Sequence, residues 1–571
     1  VTRLPPWRSA PLLIPSPPGG SVWARGLALD VGLAALLVVI AVGVALRGVS
    51  LEAVPLSVQE AERAFMAKAV AEGSLPPGWP GDLGAALTSL IFRLGADGEW
   101  AARAVAAVGG SLLLPLAYWW LRPLGRTPAM VSCLLLALSP LAIGASRTAM
   151  PGAIGAVSAL MASGALLRFS GGGGWPWAAV AGAFMGLALG SDEVGAIGAL
   201  AILAFMVIDG AMEGKNATLR RLVGQPWSLV AAVSLLAGTI ALGAVRYGAG
   251  PDGFWSPALR LWAKMLELPG DGLPRHLLLG ALLGYDPVLL VLGAVGSAWL
   301  ALRWWRDARA LAPAERILLI WVAVAALALA LASHRHVGQL LALVLPWSLI
   351  AGVGIAHALA AVPWQELRRT WPIAIALLAG MGMMGMVLGR WARPWGESGW
   401  VEAAGFWFIW AALLVLALGG WALLGKGAAS PLVVVGALLW LAISLHGAYS
   451  LGFRSGHEFV RGPLPTLGLT PLLRQIQEEV EGPIGLDEEV QWLGWHLRHR
   501  SLVISDPTPG VELYIGQVDM TPLGFIKGET WAVSVLPSLP PLAPRAAWRW
   551  FLVREPPEAP KEIRVQFYLR S

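Results

Sequence analysis

From residue 24 to residue 448 the chain repeats one pattern, a long apolar run followed by a short polar connection. Runs of about 17–25 apolar residues match the ~30 Å hydrocarbon core of a bilayer, and about thirteen of them are predicted to span it. They cover 24–47, 101–121, 128–146, 151–168, 175–191, 194–211, 227–245, 286–303, 316–332, 337–361, 372–389, 403–424 and 430–448. The polar connections near Arg147 and Asp192 are short, so the span boundaries there shift by several residues.

Two stretches break the pattern. After the first run, Ser57 to Gly81 is polar and acidic, with Glu60 and Glu62 just beyond a hydrocarbon-length helix. It reads as an amphipathic helix, then a small-residue and proline turn, then a second amphipathic piece from Asp82 to Leu94. Beyond residue 449 the chain becomes mixed and charged. Leu472–Glu481 is expected to be an amphipathic helix, Leu502–Ser505 and Val511–Tyr514 short strands, and Trp548–Val553 with Ile563–Leu569 a terminal strand pair. Leu536–Pro544 reads as a loop, and Gly171–Gly174 as a flexible turn. The expected architecture is a polytopic α-helical membrane domain over 1–449, with amphipathic helices at 55–100, and a small α/β domain over 450–571.

Composition agrees with that class. The chain is 57% hydrophobic and 13% charged over 571 residues, which no ordinary soluble surface matches. Arginine-rich connections alternate with longer ones along the chain: Arg122 and Arg126, Lys215 with Arg220 and Arg221, Arg303 to Arg316, Arg368 and Arg369. The positive-inside rule puts these on the cytoplasmic side, with the N-terminus inside and everything after residue 449 outside a prokaryotic cell (inner) membrane. The proline-rich start is not expected to be a cleavable signal. A net charge of +6 fits arginines facing anionic lipid, so no nucleic-acid partner is expected. A single cysteine, Cys133, excludes an intrachain disulfide.

Several segments together resemble the GT-C glycosyltransferases, in their protein-mannosyltransferase-like and flippase-activity-associated branch. The segments are QEAERAFMAKAVAEG at 59–73, GWPGDLGAAL at 78–87, AARAVAAVGG at 101–110, LSPLAIGASR at 138–147 and LPWSLIAGVGIA at 345–356, with QWLGWHLR at 491–498 and QFYLR at 566–570 near the end. Each is short; their order along the whole chain carries the resemblance. It implies transfer of a sugar from a polyprenyl phosphate to an acceptor hydroxyl outside the cell, with a carboxylate taking the proton and outer cations holding the lipid phosphate. On this reading Glu60, Asp192 and Glu193 are the catalytic candidates, and Arg147, Arg246, His334, Arg335 and His336 the phosphate-binding ones.

The chain departs from the family at one decisive place. The resemblance expects Asp-Glu where this sequence has Gln59-Glu60, and a glutamine cannot take a proton at neutral pH. The loop Ser146–Gly152 also lacks the acid often present there. Plainer roles stand beside each candidate: Glu60 and Glu62 as solvated positions on an interfacial helix, Arg335 as an interfacial anchor, Asp192 and Glu193 as a helix N-cap. His334 and His336 supply two ligands without a third, so a zinc site is not expected, and a divalent metal has no support in ligand spacing. The partners implied are a polyprenyl-phosphate lipid, membrane lipids and other membrane subunits. Two functions remain open at this point: an active glycosyltransferase, or a catalytically silent GT-C-like subunit of a larger assembly. A transporter has fold-level breadth as its only support.

Overall fold

The computed structural model describes residues 31–74, 82–213, 218–246, 281–282, 285–307, 311–331, 337–362, 371 and 429–453, and in the C-terminal part 464–467, 472–476, 482–487, 490, 492–499, 502–504, 513–516, 525–536 and 561–570. The expected spans 372–389 and 403–424, the turn at 78–81 and the expected strand Trp548–Val553 lie outside these residues.

The first part is helical: α1 Val31–Gly48, α2 Val58–Ala71, α3 Leu83–Arg93, α4 Glu99–Leu121, α5 Arg126–Leu138, α6 Pro140–Arg147, α7 Ala153–Ser170, α8 Trp175–Ser191, α9 Glu193–Glu213, α10 Thr218–Gly224, α11 Pro226–Arg246, α12 Pro287–Arg306, α13 Pro313–Leu331, α14 Leu341–Ala361 and α15 Ala429–Phe453. Among the described residues six helices are long and apolar enough to cross a membrane, or seven if the bent pair α5–α6 is one span. The protein is thus a multi-pass membrane protein. A continuous apolar core runs through α4, α5, α7, α9, α13 and α14. Small residues let these helices approach closely: a Cβ on Gly352 of α14 would lie 1.8 Å from the Ser132 hydroxyl of α5, the close packing that lipid-embedded helices rely on.

The expected single span 128–146 is broken. Ser139 caps α6 by accepting the Ala142 N–H, Pro140 opens it, and α5 and α6 meet at 58°. Pro140 has no N–H for the Leu136 carbonyl, and the Leu141 N–H turns to Asp286 Oδ2 at 3.1 Å, so the last carbonyls of α5 lose their helical donors. Arg47 of α1, fully buried, supplies them: Nη2 donates to Leu136 O at 2.8 Å and Nη1 to Ala137 O at 3.1 Å. Asp286 Oδ2 also accepts the Ser139 hydroxyl at 2.7 Å. A cation therefore serves the carbonyl end of the break and an anion its N–H end, the polarity the helix dipoles favour.

The glycine turn expected at Gly171–Gly174 follows α7 and also caps its end. Gly171 N donates to Leu167 O at 3.0 Å and Gly173 N to Arg168 O at 2.9 Å. The Arg168 guanidinium lies 3.4 Å from the centroid of the Trp119 ring and donates to Trp119 O at 2.8 Å.

The C-terminal part forms one mixed sheet of β1 Leu464–Leu467, β2 Ile484–Leu486, β3 Leu502–Ile504, β4 Leu513–Gly516, β5 Phe525–Leu536 and β6 Lys561–Arg570, ordered β1-β5-β6-β4-β2-β3. The parallel β2–β3 pair needs a crossover, and it contains the short helix α16, Leu493–His496. The expected strand 563–569 is present within β6, which pairs with β5 and β4 among the described residues.

This sheet shares a second core with α2 and α3. Trp495 and Leu493 of the crossover pack with Phe65, Met66 and Phe92, the Phe92 and Trp495 ring centroids being 5.7 Å apart. A Cβ on Gly494 would lie 2.8 Å from the Phe65 ring, so only glycine lets the crossover sit this close. At the edge of the contact Asp97 accepts from Lys68 Nζ at 3.1 Å and Arg498 Nε at 3.2 Å.

Candidate functional site

Helix α2 starts where its sequence dictates. Ser57 Oγ accepts the Glu60 N–H at 3.3 Å and Glu60 Oε2 accepts the Ser57 N–H at 3.0 Å, a complete capping box. Asp82 does the same for α3, accepting the Ala85 N–H at 2.8 Å, and its other oxygen accepts from Arg63 of α2. The two amphipathic helices are thereby tied together at the end of the bundle where α1, α6 and α9 also have termini.

Glu60 is fully buried. Its Oε1 accepts from Arg103 Nε at 2.9 Å and from the Ala149 N–H at 2.8 Å, and its Oε2 accepts from Arg103 Nη2 at 3.0 Å as well as from Ser57. Arg103 in turn donates from Nη1 to Leu51 O at 2.7 Å and Val54 O at 2.6 Å, and from Nη2 to Pro55 O at 3.1 Å. Every acceptor site of the carboxylate and all of the guanidinium N–H groups are engaged. Burial by itself pushes the Glu60 carboxyl up, but the Arg103 charge and hydrogen bonds, with those from Ser57 and Ala149, outweigh it and hold the group below the usual carboxylate range. The sequence led us to expect a carboxylate open to water here; the structure has a saturated, dry ion pair.

Asp192, between α8 and α9, joins two helix N-termini. Its Oδ1 accepts the Gly195 N–H of α9 at 2.9 Å, and its Oδ2 accepts the Gly152 and Gly155 N–H groups at the start of α7, both at 3.0 Å. Gly155 has to be glycine, because a Cβ there would lie 2.0 Å from Asp192 Oδ1. Burial pushes the Asp192 carboxyl up to about 6 against those backbone bonds, with the nearby Asp82 charge adding to the rise. Glu193 accepts from the Gln339 side chain, in the 3₁₀ turn Val337–Leu340 that precedes α14.

The expected acids therefore do come together, around one loop. Glu60 holds Ala149, Asp192 holds Gly152, and Gly152 approaches Gly338, where its Cβ position lies 3.3 Å from Gly338 O. Arg147 anchors the other end of the loop, donating from Nη1 to Leu46 O at 3.0 Å and Val49 O at 2.8 Å and from Nη2 to Ser50 O at 3.0 Å, around the C-terminal end of α1. The loop 148–152 has no acid of its own but is held by acids from two other connections. His334, Arg335 and His336 lie outside the described residues, as does the Arg246 side chain. Among the described residues no cluster of His, Cys, Asp and Glu could hold a metal ion.

The sequence reading missed Arg103 and Arg47 as organising residues. Both carry a signal, a lone arginine within or at the end of an apolar helix, which has to find acceptors inside the protein.

The fold of Asp192 has a pH signature. Its proton is held to about pH 6 in the folded protein, against an ordinary value of 3.8. The folded state thus binds more protons in that window, so the contribution is present below about pH 4 and is lost as pH rises through about 6. We expect wild type to lose on the order of 2–3 kcal/mol from this group between those limits. Glu60, with its lowered value, works in the opposite sense and loses stability only as the solution is acidified. Melting temperatures of wild type and Asp192→Asn at pH 4 and pH 7 isolate the first effect: the variant should be less stable throughout but flatter with pH.

Known proteins match in fold and over one segment. The family described as dolichyl-phosphate-mannose-protein mannosyltransferase matches residues 82–240. ArnT from Cupriavidus metallidurans, solved bound to undecaprenyl phosphate, superposes with a TM-score of 0.54 at 18% identity, over 82% of this chain and 85% of that one. Its apo form gives 0.52 at 17% identity, over 83% and 86%. The oligosaccharyltransferase of Archaeoglobus fulgidus gives 0.49 at 14% identity, over 85% and 69%, too distant to support an argument. No curated protein sequence matches the chain. The chain is a membrane protein that shares the fold of ArnT and is similar over residues 82–240 to the family described as dolichyl-phosphate-mannose-protein mannosyltransferase.

Proposed function

We propose that the chain transfers a sugar from a polyprenyl-phosphate donor to an acceptor hydroxyl outside the cell, with the N-terminus cytoplasmic and the C-terminal sheet on the outer side. The observation that carries this reading is the shared fold with ArnT, solved bound to undecaprenyl phosphate, over 82% of the chain. The locked geometry around loop 148–152 supports it, since a transfer site needs its reacting groups held in place before substrate arrives. In this reading Glu60, Asp192 and Glu193 hold that loop and the adjoining helix starts. Arg335, flanked by His334 and His336, and Arg246 supply cations to the donor phosphate, while the Arg147 guanidinium is already engaged on the end of α1.

A second reading, a silent subunit of a membrane assembly, is favoured by one observation. Gln59 stands where the resemblance expects the proton-accepting aspartate, and it is exposed on α2. Purified protein in liposomes, supplied with polyprenyl-phosphate mannose and other polyprenyl-phosphate sugars, separates the two. Turnover to a soluble acceptor or to water is the expected result. Absence of turnover, with or without donor binding, would overturn the transferase reading and favour the silent subunit.

A further inference from the structure

The open face of α2 carries Gln59, which is exposed, and Glu62 and Arg63, which are half-buried; Glu60, Ala61, Ala64, Phe65 and Ala67 point into the protein. Residues three and four apart lie on one helical face, so Glu62 and Arg63 flank Gln59 one turn further on. Arg63 is committed to Asp82. The other acids at this end are committed too. Glu60 accepts four hydrogen bonds and Asp192 three, Glu193 bonds Gln339, and Asp97 bonds Lys68 and Arg498; the Leu56 backbone bonds Glu99. Glu52 and Glu72 are exposed, the first before α2 and the second at its far end. Glu62 alone is at once half-buried, on the Gln59 face and without a hydrogen bond or ion pair among the described residues.

We propose that Glu62 is the general base of the transfer reaction, taking over the role that Gln59 cannot perform. The inference rests on the transferase reading above. The acceptor hydroxyl oxygen bonds to the anomeric carbon of the sugar as the bond from that carbon to the phosphate oxygen breaks. The bonding pair leaves with the polyprenyl phosphate, and the hydroxyl proton passes to the Glu62 carboxylate and from there to water. Burial lifts the Glu62 carboxyl above the usual carboxylate range, which brings a base closer to the pH at which it must act. The Arg63–Asp82 pair beside it fixes the spacing of α2 and α3, so the side chain starts from a rigid helix.

The test uses the full chain in liposomes with polyprenyl-phosphate mannose as donor and an alkyl glycoside or water as acceptor. Glu62→Gln should lower kcat about 100- to 10,000-fold, leaving donor binding and the melting temperature as in wild type. Glu62→Asp should keep part of the rate, and Gln59→Asp added to Glu62→Gln should restore part of it. Independently of turnover, a hydrophobic carbodiimide followed by peptide mapping should modify Glu62 well before Glu60, Asp82 or Asp192. Wild-type turnover that survives Glu62→Gln within about threefold, against the general-base range, would overturn the role of Glu62 and leave the transferase reading standing. Absence of turnover in wild type would overturn that reading and this proposal with it, and labelling of Glu60 ahead of Glu62 would overturn the accounting on which the proposal stands.

Discussion

Arg103→Met should destabilise the protein by about 3–5 kcal/mol, the cost of removing one partner of a buried ion pair. The methionine fills much of the volume, so the loss comes from the groups left behind rather than from a cavity. Glu60 would remain fully buried, keeping only the Ser57 and Ala149 N–H bonds, and the carbonyls of Leu51, Val54 and Pro55 would lose their donor. The double variant Arg103→Met with Glu60→Met removes both charges together and should recover much of the loss, since a buried pair contributes little net stability against apolar replacements. Unfolding in detergent of wild type, Arg103→Met, Glu60→Met and the double variant closes the cycle, and the coupling energy between the two sites should be at least about 2 kcal/mol, within the range for contacting groups. A loss below about 1 kcal/mol in Arg103→Met, the size of an exposed pair, would mean that water reaches the ion pair and that Glu60 is not a closed structural group.

That ion pair also shows which parts of the site were open to reading from sequence. The start of α2 was legible, because Ser57-Val58-Gln59-Glu60 is a capping-box pattern in which the glutamate at the third helical position turns back to its own cap. The same local rule placed α3, with Asp82 directly before its apolar run. What the sequence hides is the distance partner. Arg103 lies 43 residues beyond Glu60, and nothing in one sequence states that the two meet. Glu60 therefore read as a carboxylate at the water boundary when it is the anion of a dry pair. Asp192 was half legible: its capping of α9 follows from its place in the chain, whereas its hold on Gly152 and Gly155 is tertiary.

The membrane spans follow from hydropathy because apolar length is a local quantity, and most of the described helices start within a few residues of the runs that predict them. The exceptions have local causes that a hydropathy window averages away. Ser139-Pro140 ends one helix and caps the next inside a single apolar run. In the C-terminal part β5 was not foreseen, since FIKGETWAVSVL carries polar residues and an irregular register between Lys527 and Thr530.

The break at Ser139-Pro140 gives the second large effect. Arg47→Met should cost about 3–5 kcal/mol, because the Leu136 and Ala137 carbonyls, already without helical donors, would be left unpaired in a water-free interior, where each such group costs from about 1 to several kcal/mol. Part of that penalty is offset because a buried guanidinium is no longer held away from water. The origin of the requirement can be tested separately. Pro140→Ala returns an N–H at residue 140, which can serve Leu136 O if α5 continues through the break; Ala137 O stays dependent on Arg47 as long as Leu141 N–H remains on Asp286. In the Pro140→Ala background, Arg47→Met should then cost about half as much as it does alone, a coupling on the order of 1–3 kcal/mol in a double-mutant cycle followed by unfolding in detergent. Strict additivity of the two substitutions would show that the arginine is retained for a reason other than the missing proline N–H, and the charge pairing of Arg47 and Asp286 with the two ends of the break would no longer explain why this span is bent.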